Sequence, residues 1–204
     1  MTAVEFTRWF LALFFVGVAV FYAVRIITVR RRMRASPVFL GVPGTLHHAT
    51  HLAFRIFRVL ILGVCVGRLV WPPLDRYLVP FEVLWRPAVL VLGDGLLLAG
   101  FIGVLAVHFY MGRDWRSGTR ARDRTGLITT GPFARSRNPM MVGVIVAQAG
   151  LFLALPTVFT LVCLVVGIWA VIAQVGVEER LLRERFGAEY DAYAARTSRW
   201  PGSR

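Results

Sequence analysis

The chain has 204 residues, 57% of them hydrophobic, and a mean hydropathy of +0.64. Apolar runs this long and numerous exceed what one small water-soluble core can bury, which excludes an ordinary soluble domain. The formal charge of +13 rests on 24 basic residues, all arginine, that cluster at the ends of apolar segments; this is a pattern of membrane topology rather than of nucleic-acid binding.

Five apolar segments follow in chain order: Trp9–Val29, Leu52–Trp71, Ala88–Tyr110, Met140–Leu155 and Thr157–Val177. About 20 helical residues cross a bilayer core, so segments one, two, three and five qualify by length. Segment four is short and ends at Pro156, which predicts a tight helical hairpin with segment five. The first segment is expected to be a retained span, because arginines and no small-residue cleavage site follow it. The fold class is therefore all-α: a polytopic membrane protein of about five transmembrane helices, with a C-terminal hairpin and an amphipathic cytoplasmic tail helix.

Arginine asymmetry sets the expected orientation. With the N-terminus outside, the inner side holds Arg30, Arg31, Arg32, Arg34, Arg113, Arg116, Arg120, Arg122, Arg124, Arg135, Arg137 and the six arginines from Arg180 to Arg204. The outer side keeps Arg8, Arg76 and Arg86, and 17 against 3 predicts a cytoplasmic C-terminus. Trp9, Trp71, Trp85 and Trp169 are read as interfacial anchors near span ends. The loop Gly112–Asn138, with its TGLITTGPF stretch, is expected to be turn-rich. The chain reads as one integral membrane domain, with residues 1–86 as spans accessory to a C-terminal half, residues 112–204.

Several charged or polar residues lie within or beside the spans. Arg25, Arg55 and Arg58 are placed to snorkel, and Arg68 and Asp94 are expected to pair between antiparallel spans two and three. His47, His48 and His51 read as an interfacial polar cluster, and His108 is a candidate for lining a site. Cys65 and Cys163 sit singly in apolar runs, without metal-ligand spacing, and read as small buried hydrophobes; no metal site is expected.

The chemistry concentrates at the two ends of the hairpin. Segment four begins after Arg137-Asn138-Pro139, with proline suited to a first helical turn whose exposed N–H groups favour an anion. Segment five returns to the same face at Gln174–Glu179, so a hairpin brings Arg137 and Asn138 near Glu178 and Glu179. Arginine suits a carboxylate and glutamate an ammonium, the two charges of an amino-acid moiety. Beyond Glu178, the residues Glu179, Leu182, Phe186, Tyr190 and Tyr193 fall on one helical face, with Gly187 placed to bend or interrupt it. By spacing alone, this stripe also fits an amphipathic helix lying on headgroups.

The stretches LITTGPFARSRNPMMVG and EERLLRERFGAEYDAYAARTSRWP, joined by the apolar hairpin, resemble the isoprenylcysteine carboxyl methyltransferase family and its phospholipid-methyltransferase relatives from Leu127 to Pro201. The resemblance implies a small helical membrane enzyme that binds S-adenosylmethionine at the cytosolic face. It implies cofactor contacts from Arg137, Asn138, Pro139 and Gly143, backbone lining by Ile128, Thr129 and Gly131, and completion of the site by Glu178, Glu179, Tyr190 and Tyr193. Arg196 and Arg199 would meet an anionic acceptor, which places Arg137, Glu178, Glu179 and Arg196 as catalytic candidates. The sequence departs from the family pattern at Asn138, often histidine, and at Met141, usually tyrosine. The expected function is methyl transfer to an isoprenoid-like or phospholipid acceptor, a carboxylate favoured, in a bacterial plasma membrane. Two alternatives stand beside it: a membrane reductase using NADPH on a sterol or isoprenoid, and a non-catalytic membrane binding protein. The lipid bilayer and an amphiphilic acceptor are the expected partners, and nucleic acid is not.

Overall fold

The computed structural model describes residues 1–33, 44, 46–111 and 126–202, and these residues form helices and turns with no β-strand. Seven α-helices are described: α1 (Ala3–Met33), α2 (Leu46–Val70), the single turn α3 (Leu74–Tyr77), α4 (Pro87–Met111), α5 (Pro139–Ala154), α6 (Val158–Phe186) and α7 (Ala188–Arg196). The five apolar segments are thus α1, α2, α4, α5 and α6, and the chain is an all-α membrane protein. Three helices are long and apolar enough to cross a membrane: α1 over Ala3–Thr28, α4 and α6. Segment two, expected to qualify by length, is not among them; α2 carries Arg55, Arg58 and Arg68. α5 is apolar but has only 16 residues. Much of the Gly112–Asn138 loop, including Arg113 to Arg124, lies outside the described residues, as do Arg34 and the side chains of Arg25, His47 and His51.

The hairpin is specified locally. Leu155 and Pro156 stop α5, and Thr157 restarts the chain as α6 with a reciprocal cap. The Thr160 amide donates to Thr157 Oγ1 at 3.2 Å, and the Thr157 amide donates to Thr160 Oγ1 at 3.2 Å. Both threonines are buried, so these orphan donors have no water to turn to. Thr157→Ala is expected to cost about 1–2 kcal/mol. Thermal unfolding in detergent, read by dye labelling of the buried thiols of Cys65 and Cys163, measures it.

Glycines set the approach of α4 to α5. A Cβ at Gly93, Gly100 or Gly150 would fall within 3.0 Å of backbone atoms of the facing helix, at Ala154, Ala147 and Leu97 respectively. At Gly143 a Cβ would lie 2.9 Å from the Gly100 carbonyl oxygen. Without side chains between them, α4 and α5 meet backbone to backbone, as small residues permit where lipid offers no hydrophobic drive for association. Gly143, expected to contact a cofactor, is buried in this helix crossing. A core of Leu11, Cys65, Leu97, Leu151, Ala154 and Leu155 joins α1 and α2 to the pair.

The face holding the α5–α6 turn has its own polar layer. Arg68 pairs through Nε with Asp75, not with Asp94. Asp75 also receives Arg8 Nη2 at 2.7 Å, and Asp94 accepts from the Thr7 hydroxyl at 2.7 Å. The expected Arg68–Asp94 pair is corrected because α3 carries Asp75 back beneath the end of α2. A fully buried guanidinium is best held by a nearby carboxylate whose second oxygen takes another donor. The turn itself is tied down by the Phe81 amide donating to the Pro156 oxygen at 2.8 Å and the Val158 amide donating to the Val79 oxygen at 3.0 Å. Trp169, expected near a span end, lies mid-way along α6, half exposed on the apolar surface.

The tail is two helices rather than one. Gly187, at φ +49°, ends α6 and begins α7, a conformation that glycine adopts without steric cost. Arg183 Nε reaches across the break to Asp191 Oδ1 at 2.7 Å. The expected stripe is thus divided, with Glu179, Leu182 and Phe186 on α6, and Tyr190 and Tyr193 on α7.

Candidate active site at the open end of the hairpin

The apolar part of α6 ends at Val177, and the next turn carries Glu178 and Glu179 beyond it. Glu179 is buried, with 8% of its side chain exposed, and stands at the centre of a polar cluster. Its Oε1 accepts from Asn138 Nδ2 at 3.1 Å, Arg137 Nε at 3.2 Å and Arg199 Nε at 3.2 Å. Its Oε2 accepts from Arg199 Nη2 at 2.6 Å and Nε at 3.2 Å. Asn138 caps α5 by position but makes no side-chain bond to its own helix; its amide goes to Glu179 instead.

Arg137 is held by the tail as well as by Glu179. Its Nη1 donates to the carbonyls of Ala194 at 3.0 Å and Thr197 at 3.3 Å, and its amide donates to Ser198 O at 3.0 Å. Ser136 completes the join: its hydroxyl donates to Arg199 O at 2.9 Å and accepts from the Asn138 amide at 3.1 Å. The Tyr193 hydroxyl donates to Phe133 O at 2.7 Å, which docks α7 on the 3-10 turn Gly131–Ala134. The start of α5, the end of α6 and the tail therefore close around one carboxylate.

Burial alone would raise the Glu179 carboxyl, but hydrogen bonds from Arg199 and Asn138, with the charges of Arg137 and Arg199, outweigh it and hold the group below its ordinary 4.5. A carboxyl depressed by folding contributes stability that is present above its unfolded value and lost as pH falls through the folded one. Tail docking is accordingly expected to persist from pH 8 down to 5 and to loosen only below pH 4.5. Amide hydrogen exchange across Ala188–Arg199 is the measurement. Burial, reinforced by neighbouring Tyr190, pushes the Tyr193 phenol up to about 12, so it stays protonated at working pH. Tyr190 is buried beneath the Arg183 guanidinium, 5.5 Å from its ring centroid, and its hydroxyl has no partner among the described residues.

Of the sequence-derived candidates, Arg137, Asn138, Pro139, Glu179, Tyr190 and Tyr193 come together here. Glu178 is half-buried, about 100° around α6 from Glu179. Ile128 and Thr129 are half-buried in the segment entering the 3-10 turn, and Tyr110 and Thr130 share a hydroxyl bond of 2.8 Å beside them. Gly131 adopts φ +60°, and a Cβ there would strike the Tyr110 ring. Arg196 is exposed at the end of α7 and makes no contact with Glu179 among the described residues, so the catalytic expectation for it gains no support from the geometry. Arg199 takes the place beside Glu179. Ser136 was not anticipated; a serine three residues before a helix-starting proline is the signal that would have marked it.

Residues 88–189 match the phospholipid methyltransferase family model, 102 of the 204 residues. The chain belongs to the phospholipid methyltransferase family. It falls in the membrane superfamily that unites those enzymes with the isoprenylcysteine methyltransferases, so methyl transfer at a membrane is its class of activity. The match takes in α4, α5 and α6 with Arg137, Asn138 and Glu179, and it stops before Tyr190 and Arg199. No curated protein and no solved structure matches the chain.

Proposed function

We propose that the chain is an integral membrane methyltransferase that uses S-adenosylmethionine and methylates an amphiphilic acceptor at the membrane surface, a carboxylate being favoured. The observation that carries this reading is the buried Glu179, held by Asn138 and Arg137 where the two ends of the hairpin meet, in a chain of this family. The donor set fits the amino-acid part of the molecule: a carboxylate for its ammonium, the Arg137 guanidinium for its carboxylate, and the Tyr190 hydroxyl, without a partner among the described residues, as a further polar contact. When bound, S-adenosylmethionine supplies an electrophilic methyl group on a sulfonium.

The residues of the chain orient and exclude water more than they move protons. Glu179 is held ionised and paired, so it is a weak base, and Tyr193 is too weak an acid to release its proton. Asn138 has no basic nitrogen, where an imidazole could have served. A site of this composition suits a nucleophile already free of its proton, and a carboxylate meets that condition at neutral pH. Alignment alone can supply roughly 7–11 kcal/mol in well-oriented cases, enough to make a strong base unnecessary. We place the site on the cytoplasmic side of a bacterial plasma membrane, with the N-terminus outside, on the arginine distribution.

Labelled methyl transfer into membrane lipid tests the reading. A methyl ester releases its label as methanol in mild alkali, whereas an N-methyl group does not. Alkali-labile label is the expected result. Alkali-stable label in the phospholipid fraction would move the acceptor to an amine, the second reading, which the family match itself favours. Binding of NADPH in place of S-adenosylhomocysteine would sink the methyltransferase reading altogether.

A further inference from the structure

The two oxygens of Glu179 are not held alike. Oε1 shares the Arg199 Nε at 3.2 Å but also accepts from Asn138 and Arg137, neither of which is free to leave: Asn138 is buried, and Arg137 is fixed to the carbonyls of Ala194 and Thr197. Oε2 accepts, among the described residues, from Arg199 alone. The Arg199 side chain is 46% exposed and stands beyond the end of α7, where, among the described residues, the Ser136 hydroxyl holds its backbone by donating to its carbonyl. A cation arriving at Oε2 therefore meets Arg199 already seated there.

We propose that Arg199 is a gate on donor binding, its guanidinium competing with the ammonium group of the incoming donor for Oε2 of Glu179. The inference rests on the reading that Glu179 receives that ammonium. A carboxylate oxygen paired at 2.6 Å with a charged Nη2 has its favoured lone-pair direction taken, so ligand entry requires that this pair part first. Arg137 and Asn138 keep the carboxylate oriented while it does. The cost of parting falls on ligand affinity, as it does for any site whose competent form must be released before binding. A half-exposed pair is worth roughly 0.2–1 kcal/mol, a factor of up to about 5 in affinity.

Calorimetric titration of detergent-purified wild type, Arg199→Ala and Arg199→Gln decides the matter, with S-adenosylhomocysteine and, in parallel, 5′-methylthioadenosine, which has the nucleoside but no amino-acid moiety. The expected result is roughly two- to fivefold tighter binding of S-adenosylhomocysteine by both variants, with methylthioadenosine affinity unchanged. Unchanged or weaker S-adenosylhomocysteine binding in the variants overturns the gate while leaving the donor reading intact. Weakening of both ligands means that the tail has undocked, and it overturns the gate as well. Absence of S-adenosylhomocysteine binding in the wild type itself removes the donor reading, and the gate with it.

Discussion

Glu179→Ala is expected to reduce S-adenosylhomocysteine affinity by roughly 30- to 150-fold while the spans remain folded. The substitution removes the acceptor that orients Asn138, Arg137 and Arg199 together. It leaves Arg137, whose side chain is 15% exposed, with an Nε that loses its partner. Breaking a fully buried pair costs roughly 3–5 kcal/mol, but Arg199 is 46% exposed and screened, so about 2–3 kcal/mol of local docking energy is the fair expectation. That loss falls on the tail and on ligand affinity, where each 1.4 kcal/mol is about a factor of ten. Because the glycine-packed α4–α5 pair and the polar layer at the opposite face do not involve Glu179, helical circular dichroism and the midpoint of core unfolding should stay near wild type. Glu179→Gln keeps the shape and one acceptor oxygen but not the charge, and should fall between the two. Full donor affinity in a well-folded alanine variant would remove Glu179 from the site.

The largest effect on stability is expected at the α4–α5 crossing. Gly100→Leu or Gly150→Leu must push two helix backbones apart, because the added carbons meet the backbone of Ala147 or Leu97 rather than a side chain that can turn away. Overpacking a well-filled core typically costs about 1–3 kcal/mol, and a leucine against rigid backbone belongs above that range. Neither variant is expected to yield a monodisperse protein in detergent, and Gly100→Ala should already lower the unfolding temperature clearly. Gly95→Leu is the control: on the same helix, with nothing within 4 Å of its Cβ, it should behave like wild type. Equal stability of the Gly95 and Gly100 variants, measured by size exclusion and thermal unfolding, would show that the close approach is not needed. Such a helix displacement would also be read at the site, since α5 begins at the Asn138 that holds Glu179.

Much of the fold was legible because membrane insertion writes itself into composition. Apolar length marked all five long helices, Pro156 and Thr157 marked the turn between α5 and α6, and Gly187 marked a place where the tail could break. Arg137, Asn138 and Glu179 were also legible as neighbours, since a hairpin must return the two ends of its sequence to one face. The choice of ion-pair partners was not. Arg68 and Asp94 look like partners along the sequence, yet a four-residue turn, α3, delivers Asp75 to Arg68 and leaves Asp94 to Thr7. Nor could spacing separate Arg196 from Arg199, three residues apart at the end of a short helix: one points to solvent and the other closes on Glu179.

By itself, then, the sequence determined the class of the protein, its helical segments, its family and the two stretches that carry its chemistry. These follow from local quantities: the apolar length of a segment, the φ and N–H that proline removes, and motif residues a few positions apart. Only the tertiary structure decided which oxygen of Glu179 is held from within and which is left to Arg199, that Gly143 serves the helix crossing, and that Ser136 ties the tail down. Those outcomes depend on contacts between residues 20 to 63 positions apart, whose partners are selected by distance and burial after the helices have packed.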